Sequence, residues 1–472
     1  METREAFTRL KLSSIGDRCE ALDRALDALQ SHVHASPASK LVISGIKLAL
    51  KALKEKLKRF QEDPDLEVLK DNELELRIHT VSHTLPYLHK ILALIENSDV
   101  NAVPAELTAP IRRKIKDLFP SAEVIIVSST ELNYTIVDIM QYLKGDIWEK
   151  LGCQIPEGFP SKILRVSVPS VEHDQALLHC IIAHEIGHAL YQENSLQKKI
   201  VDFEIPPDYL KRELVAIYSE IAKTKEQSPQ GELPFDELEF RQSVTSRVNE
   251  VLPGWIQELG ADIFGLLLFG PAYLFACVHF SLATGTLDNV SISHPANRLR
   301  LKVLFETLDA RYPDGTMYSI ETSRFLDVWR NIAHMEQQVG VIEAIAIYAI
   351  KEHDVLRKLQ QEVEATIDAQ HIFTKESYSS SLETLCPLID AYVPPCEFLG
   401  DRRYQPAALV GILNAGWERF LSGLDKFRTH LPHSEKLTPF QLTLKFNSFL
   451  LKSMELNEAI AAWTKAFNDT HD

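Results

Sequence analysis

The feature that most restricts how this chain can fold is a pair of histidines, His184 and His188, set four residues apart within an apolar run. Leu177-Leu178-His179-Cys180-Ile181-Ile182-Ala183 precedes them and Ala189-Leu190-Tyr191 follows. Residues four apart lie on one face of a helix, so both imidazoles can point at one place, with Glu185 projecting beside them. Burying two imidazoles and a carboxylate among apolar side chains is costly unless they have partners. A zinc ion is one such partner, because it accepts imidazole ligands and keeps one position open for water. Glu185 then suits a general base, since zinc brings the pKa of a bound water towards neutrality. Gly187, with no side chain, leaves room for another element to approach.

Such a site needs a third protein ligand. Trp255-Ile256-Gln257-Glu258-Leu259-Gly260-Ala261-Asp262 offers two carboxylates at i,i+4 spacing on an otherwise apolar helix. Glu258 is read as the third ligand. Asp262 is read as the acceptor that fixes a ligand histidine in one tautomer. The competing reading is a helix cap or a surface pair.

An HExxH followed by a downstream ExxxD resembles the gluzincin class of zinc peptidases. Glu258 lies 70 residues beyond His188. That gap is similar to the one in the peptidases that process prenylated proteins and in their heat-shock relatives. Those families also carry a later His-Pro motif followed by an arginine. Ser293-His294-Pro295-Ala296-Asn297-Arg298-Leu299-Arg300-Leu301 looks like it, with Arg300 at the matching step. The resemblance covers about residues 160–305. It implies a zincin-like core, one zinc ion per chain, and endopeptidase activity on a protein or peptide. It also implies that His294 or Arg300 stabilises an oxyanion or organises the site; alternatively, His294 is a loop residue capping the next helix. The chain lacks the several membrane spans of those families. Two other readings compete. One is a catalytically silent scaffold or sensor that retains zinc, against which Glu185 counts. The other is a zinc hydrolase of a non-peptide amide, such as a deformylase with Cys153 as a ligand, which leaves Glu258 unexplained.

A formal net charge of -16 over 472 residues argues against nucleic acid as the main partner. The six cysteines have no paired spacing and read as free thiols of a reducing compartment. Residues 1–12 have no long apolar core, so no cleaved signal is expected. Ile263 to Leu287 carries no Asp, Glu, Lys or Arg and is long enough to span a bilayer. Gly265, Gly270 and Pro271 divide it, which suits buried helices, and the expected location is the cytoplasm.

The fold expected is mainly α, in the α+β sense: a core with a small sheet and an HExxH helix, flanked by helical terminal regions. Residues 1–118 form the helical N-terminal region, 119–310 the metallopeptidase core with a charged insertion at about 203–240, and 311–472 the helical C-terminal region. The flanks could hold a regulatory partner. Ile43, Ile46, Leu50, Leu53, Leu57 and Phe60 form one apolar helix face. The lysines around them read as a solvated face or a basic docking surface. His79 and His83, also i,i+4, are a second pair of possible metal ligands. Val124–Val127 and Ile163–Val168 read as strands, the latter ended by Pro169 and offering an edge to an extended peptide. Val171 to Leu190 reads as a single helix.

Overall fold

The apolar periodicity of the first third becomes four helices: α1 (Glu2–Gln30), α2 (Ala38–Gln61), α3 (Asp71–Glu96) and α4 (Ala105–Leu118). These come from a computed structural model, which describes residues 2–34, 36–63, 71–98, 103, 105–200, 237–284, 287–312, 318–335, 343, 346, 347, 350, 354–399 and 403–469. The charged insertion and its loop Gln227–Gly231 lie outside the described residues, apart from 237–240. Contacts divide the chain into two units, Met1–Asp174 and Gln175–Asp472. The strand at Lys162–Pro169 therefore falls in the first unit and His184–His188 in the second.

In the first unit, Val42, Ile43, Ile46, Leu50, Leu53 and Leu57 are buried along one side of α2, as the three-and-four spacing predicts. The lysine face is solvated at Lys51, Lys58 and Arg59 but not throughout. Lys47 pairs with Asp27 at 2.5 Å, and Lys54 with Asp23 at 2.6 Å and Glu20 at 2.9 Å, so part of it is committed to α1. Ser36 begins α2 by accepting from the Ala38 amide at 3.2 Å, and its hydroxyl donates to the Val124 carbonyl.

Val124 belongs to β1 (Ala122–Ser129), which together with β2 (Thr135–Asp138) and β3 (Lys162–Pro169) forms a sheet of order β1-β3-β2. β1 runs parallel to β3, with Ala122 opposite Lys162, and β2 runs antiparallel to it, with Thr135 opposite Ser167. Pro169 is the last residue of β3. The expectation that β3 offers a free edge is corrected here: β1 pairs its whole length and β2 pairs Leu164–Ser167 on the other side, so it is the central strand of the sheet. The short β2, not read from the sequence, lies along that edge.

The second unit is built on α5 (Ile182–Glu193), α6 (Glu237–Phe269), α7 (Pro271–Thr284), α8 (Asn297–Arg311), α9 (Ile320–His334), α10 (Val355–Thr366), α11 (Lys375–Asp390), α12 (Leu409–Ser422) and α13 (Pro439–Asp469). A two-stranded hairpin, Glu397–Leu399 with Arg403–Gln405, precedes α12. The charge-free run is divided as its glycines and proline suggest. Gly270 adopts φ +64°, and Pro271 opens α7. The buried Asn414 bridges the break, donating to the Phe269 carbonyl at 2.8 Å and accepting from the Ala272 amide at 2.9 Å. Residues Gln242–Phe269 are long and apolar enough to cross a membrane, and 83% of their most apolar stretch is buried within the protein.

Candidate metal centre

The residues before the HExxH motif do not form the single helix expected from Val171 to Leu190. Ser170–Glu172 and Ala176–Ile181 are short 3-10 turns, and α5 starts only at Ile182. Tertiary hydrogen bonds override the local periodicity: the Leu177 amide donates to Asn447 Oδ1 at 3.3 Å, and Trp417 Nε1 donates to the Leu177 carbonyl at 3.1 Å. Both partners come from distant helices, α13 and α12, and they hold the entrance of α5.

Gly187 lets α5 lie directly against α6. A Cβ at that position would stand 2.7 Å from the Ala261 carbonyl oxygen and 2.9 Å from Phe264 Cβ. Neither neighbour is a flexible tip. Gly187→Ala should therefore lower stability by about 1–3 kcal/mol through overpacking, read as a fall in thermal midpoint. An unchanged midpoint would contradict this packing.

That approach brings Glu258 and Asp262 of α6 to the two histidines. Glu258 is 6% exposed and Asp262 fully buried. His184 Nε2 lies 3.2 Å from Glu258 Oε2, and His188 Nε2 lies 3.2 Å from Glu258 Oε1. One ligand atom from each of the three residues falls within 4.8 Å of the others, so the cluster could hold a metal ion. Tetrahedral zinc with bonds of about 2.0–2.1 Å places its ligand atoms roughly 3.3 Å apart, a spacing that fits within the 4.8 Å that bounds these atoms. Glu258 Oε2 is also buried without a hydrogen-bond partner, the kind of orphaned acceptor that a cation satisfies. The residues therefore fit a metal. Glu185 sits between the histidines on α5, half-buried.

Asp262 stands behind His184. His184 Nδ1 donates to Asp262 Oδ1 at 2.9 Å, leaving Nε2 on the side of Glu258. Arg300, from α8, grips the same carboxylate with both ends of its fork, Nε to Oδ2 at 2.8 Å and Nη2 to Oδ1 at 2.7 Å. Tyr273, from α7, adds its hydroxyl to Oδ1 at 2.6 Å. Three helices thus fix an imidazole carried on a fourth. His294 lies at the rim, Nε2 3.4 Å from Glu258 Oε1 and the side chain 56% exposed, with Nδ1 2.7 Å from Ser293 Oγ.

The charges are mutually dependent. Burial opposes ionisation of Asp262, but Arg300 and the His184 hydrogen bond outweigh it and hold the carboxyl well below its ordinary range. Glu258 is held low in the same way against burial, first by its histidine partners and then by Arg300. For His184, burial and the Arg300 charge disfavour the cation, yet Asp262 and Glu258 prevail and raise its pKa to about 9. Burial and the Asp262 charge push the Tyr273 phenol well above its ordinary value, so it remains a hydrogen-bond donor. Arg300→Met should cost about 3–5 kcal/mol, because it strands a buried carboxylate. Chemical denaturation measures this, and a loss below 1 kcal/mol would show that Asp262 does not depend on the guanidinium.

His184, His188, Glu258, Asp262, Arg300 and His294 thus come together. Tyr273 and the Gln257 side chain, 3.2 Å from His188 Nδ1, join them unanticipated. Gln257 could have been flagged as a polar residue in an apolar run beside Glu258. Tyr273 lies beyond the Gly270 break, where helical spacing no longer registers it with Asp262. His79 and His83 are exposed with rings 5.1 Å apart, and no third ligand joins them among the described residues. Cys153 packs against the apolar core of the first unit. All six cysteines are free thiols. Comparison of the chain with protein-family models, with curated proteins and with solved structures finds no match.

Proposed function

We propose that the chain is a zinc-dependent endopeptidase of the gluzincin type, with His184, His188 and Glu258 as the metal ligands. The observation that carries this reading is the meeting of a His-His-Glu donor set, its ligand atoms within 4.8 Å of one another, with a carboxylate, Glu185, on the helix that bears both histidines. Bound zinc would supply Lewis acidity, polarising the scissile carbonyl and making water nucleophilic near neutral pH. Glu185 takes the proton from the attacking water and delivers it to the leaving amine. Among the described residues no ion pair involves Glu185, so its carboxylate is uncommitted.

Of the two residues considered for the oxyanion, Arg300 is taken up by Asp262 and acts as an organiser of His184. His294, at the exposed rim, is the group left to donate to the oxyanion. The substrate is a peptide segment reaching the rim from solvent. The reading is tested by incubating the full chain with an unfolded protein such as reduced casein. Cleavage that stops with a zinc chelator and returns on adding zinc is expected. Cleavage indifferent to the chelator, or none with zinc present, would sink it.

A further inference from the structure

The two histidines are supported by chemically different partners. His184 Nδ1 faces the ionised carboxylate of Asp262, which can only accept. His188 Nδ1 faces the carboxamide of Gln257 at 3.2 Å, and a carboxamide can either donate or accept. In the arrangement observed, the Gln257 nitrogen faces Nδ1. An amide turned this way can only donate to Nδ1, an arrangement that goes with a His188 N–H on Nε2, 3.2 Å from Glu258 Oε1.

A metal ligand has the opposite requirement. To offer Nε2 to a cation, His188 must carry its proton on Nδ1, and Nδ1 must donate. Turning the Gln257 amide end over end presents Oε1 instead of Nε2, so that the ring has an acceptor without any movement of helix α6. We propose that Gln257 is a positioning residue for the metal centre. Its amide donates to His188 when no cation is held and accepts from it when one is, which makes His188 the ligand that converts between the two states. His184, held by Asp262, Arg300 and Tyr273, keeps its Nδ1–H on Asp262 throughout and leaves Nε2 towards the ligand cluster.

This inference rests on the metal-centre reading but not on peptidase activity. Its prediction concerns which chemistry at position 257 supports zinc. Glutamate accepts only, lysine donates only, and methionine fills similar space and does neither. Zinc affinity of the full chain, stripped of metal and titrated in competition with a chromophoric chelator, distinguishes them. Gln257→Glu should bind within about threefold of the wild type or more tightly. Gln257→Met and Gln257→Lys should each lose about 10–100-fold, as loss of an outer hydrogen-bond partner usually does. Far-UV circular dichroism and the thermal midpoint of the metal-free forms identify any variant that fails to fold, and the remaining pair still decides. Methionine or lysine variants that bind zinc as tightly as the glutamate variant would overturn the role of Gln257 and leave the metal centre intact. A wild type that binds no zinc would overturn both.

Discussion

Glu258→Ala should abolish stoichiometric metal binding while the wild type retains it. Glu258 is the only carboxylate among the three residues whose ligand atoms converge, and it faces both histidines at 3.2 Å. Removing it leaves two protein ligands where a catalytic zinc site uses three. The loss should therefore exceed the roughly 10–100-fold that an outer-shell change costs. It also removes the anion that shares His184 with Asp262, so metal-free His184 should hold its proton less strongly than in the wild type. Elemental analysis of the purified variant beside the wild type provides the check. Equal zinc in both would mean that the metal, if present, sits elsewhere. Gln257→Glu is a useful companion, since it alters the neighbouring position without removing a ligand atom.

The second large effect separates binding from chemistry. Glu185→Gln should keep its zinc and lose turnover by about 10²–10⁴-fold, the range attributable to a general acid or base. Glu185 lies on the same helix as both histidines, yet its carboxylate is not among the three converging donors. The amide is nearly isosteric and cannot take a proton from water. Steady-state cleavage of an unfolded protein, normalised to zinc content, measures the effect. Loss of zinc from this variant would move Glu185 into the ligand set, whereas full activity would remove it from the mechanism. A silent zinc-holding scaffold, by contrast, would show no cleavage in either form.

Much of the site was legible because it is written in helical spacing. His184 with His188, and Glu258 with Asp262, are each i,i+4 pairs in apolar surroundings, and burial brings the two faces together. Gly187 was legible too, because a residue without a side chain lets α5 approach α6. Arg300 could be singled out but its task could not. Whether a guanidinium points at substrate or at Asp262 depends on how α8 packs, which no local pattern records. Tyr273 was hidden by the helix break at Gly270. The strand at Lys162–Pro169 was recognised from its alternation, but alternation cannot tell a central strand from an edge, and β2 is too short to announce itself. The supposed helix from Val171 was broken by hydrogen bonds to Trp417 and Asn447, more than 200 residues away in sequence.

The central claim is that His184, His188 and Glu258 form a zinc site. It is tested most directly by elemental analysis of the full-length wild-type chain, purified without chelator and then dialysed against metal-free buffer. About one zinc ion per chain is the expected result, as for a single catalytic site with three protein ligands. A chain that retains no zinc, and does not take it up when zinc is restored, would contradict the account.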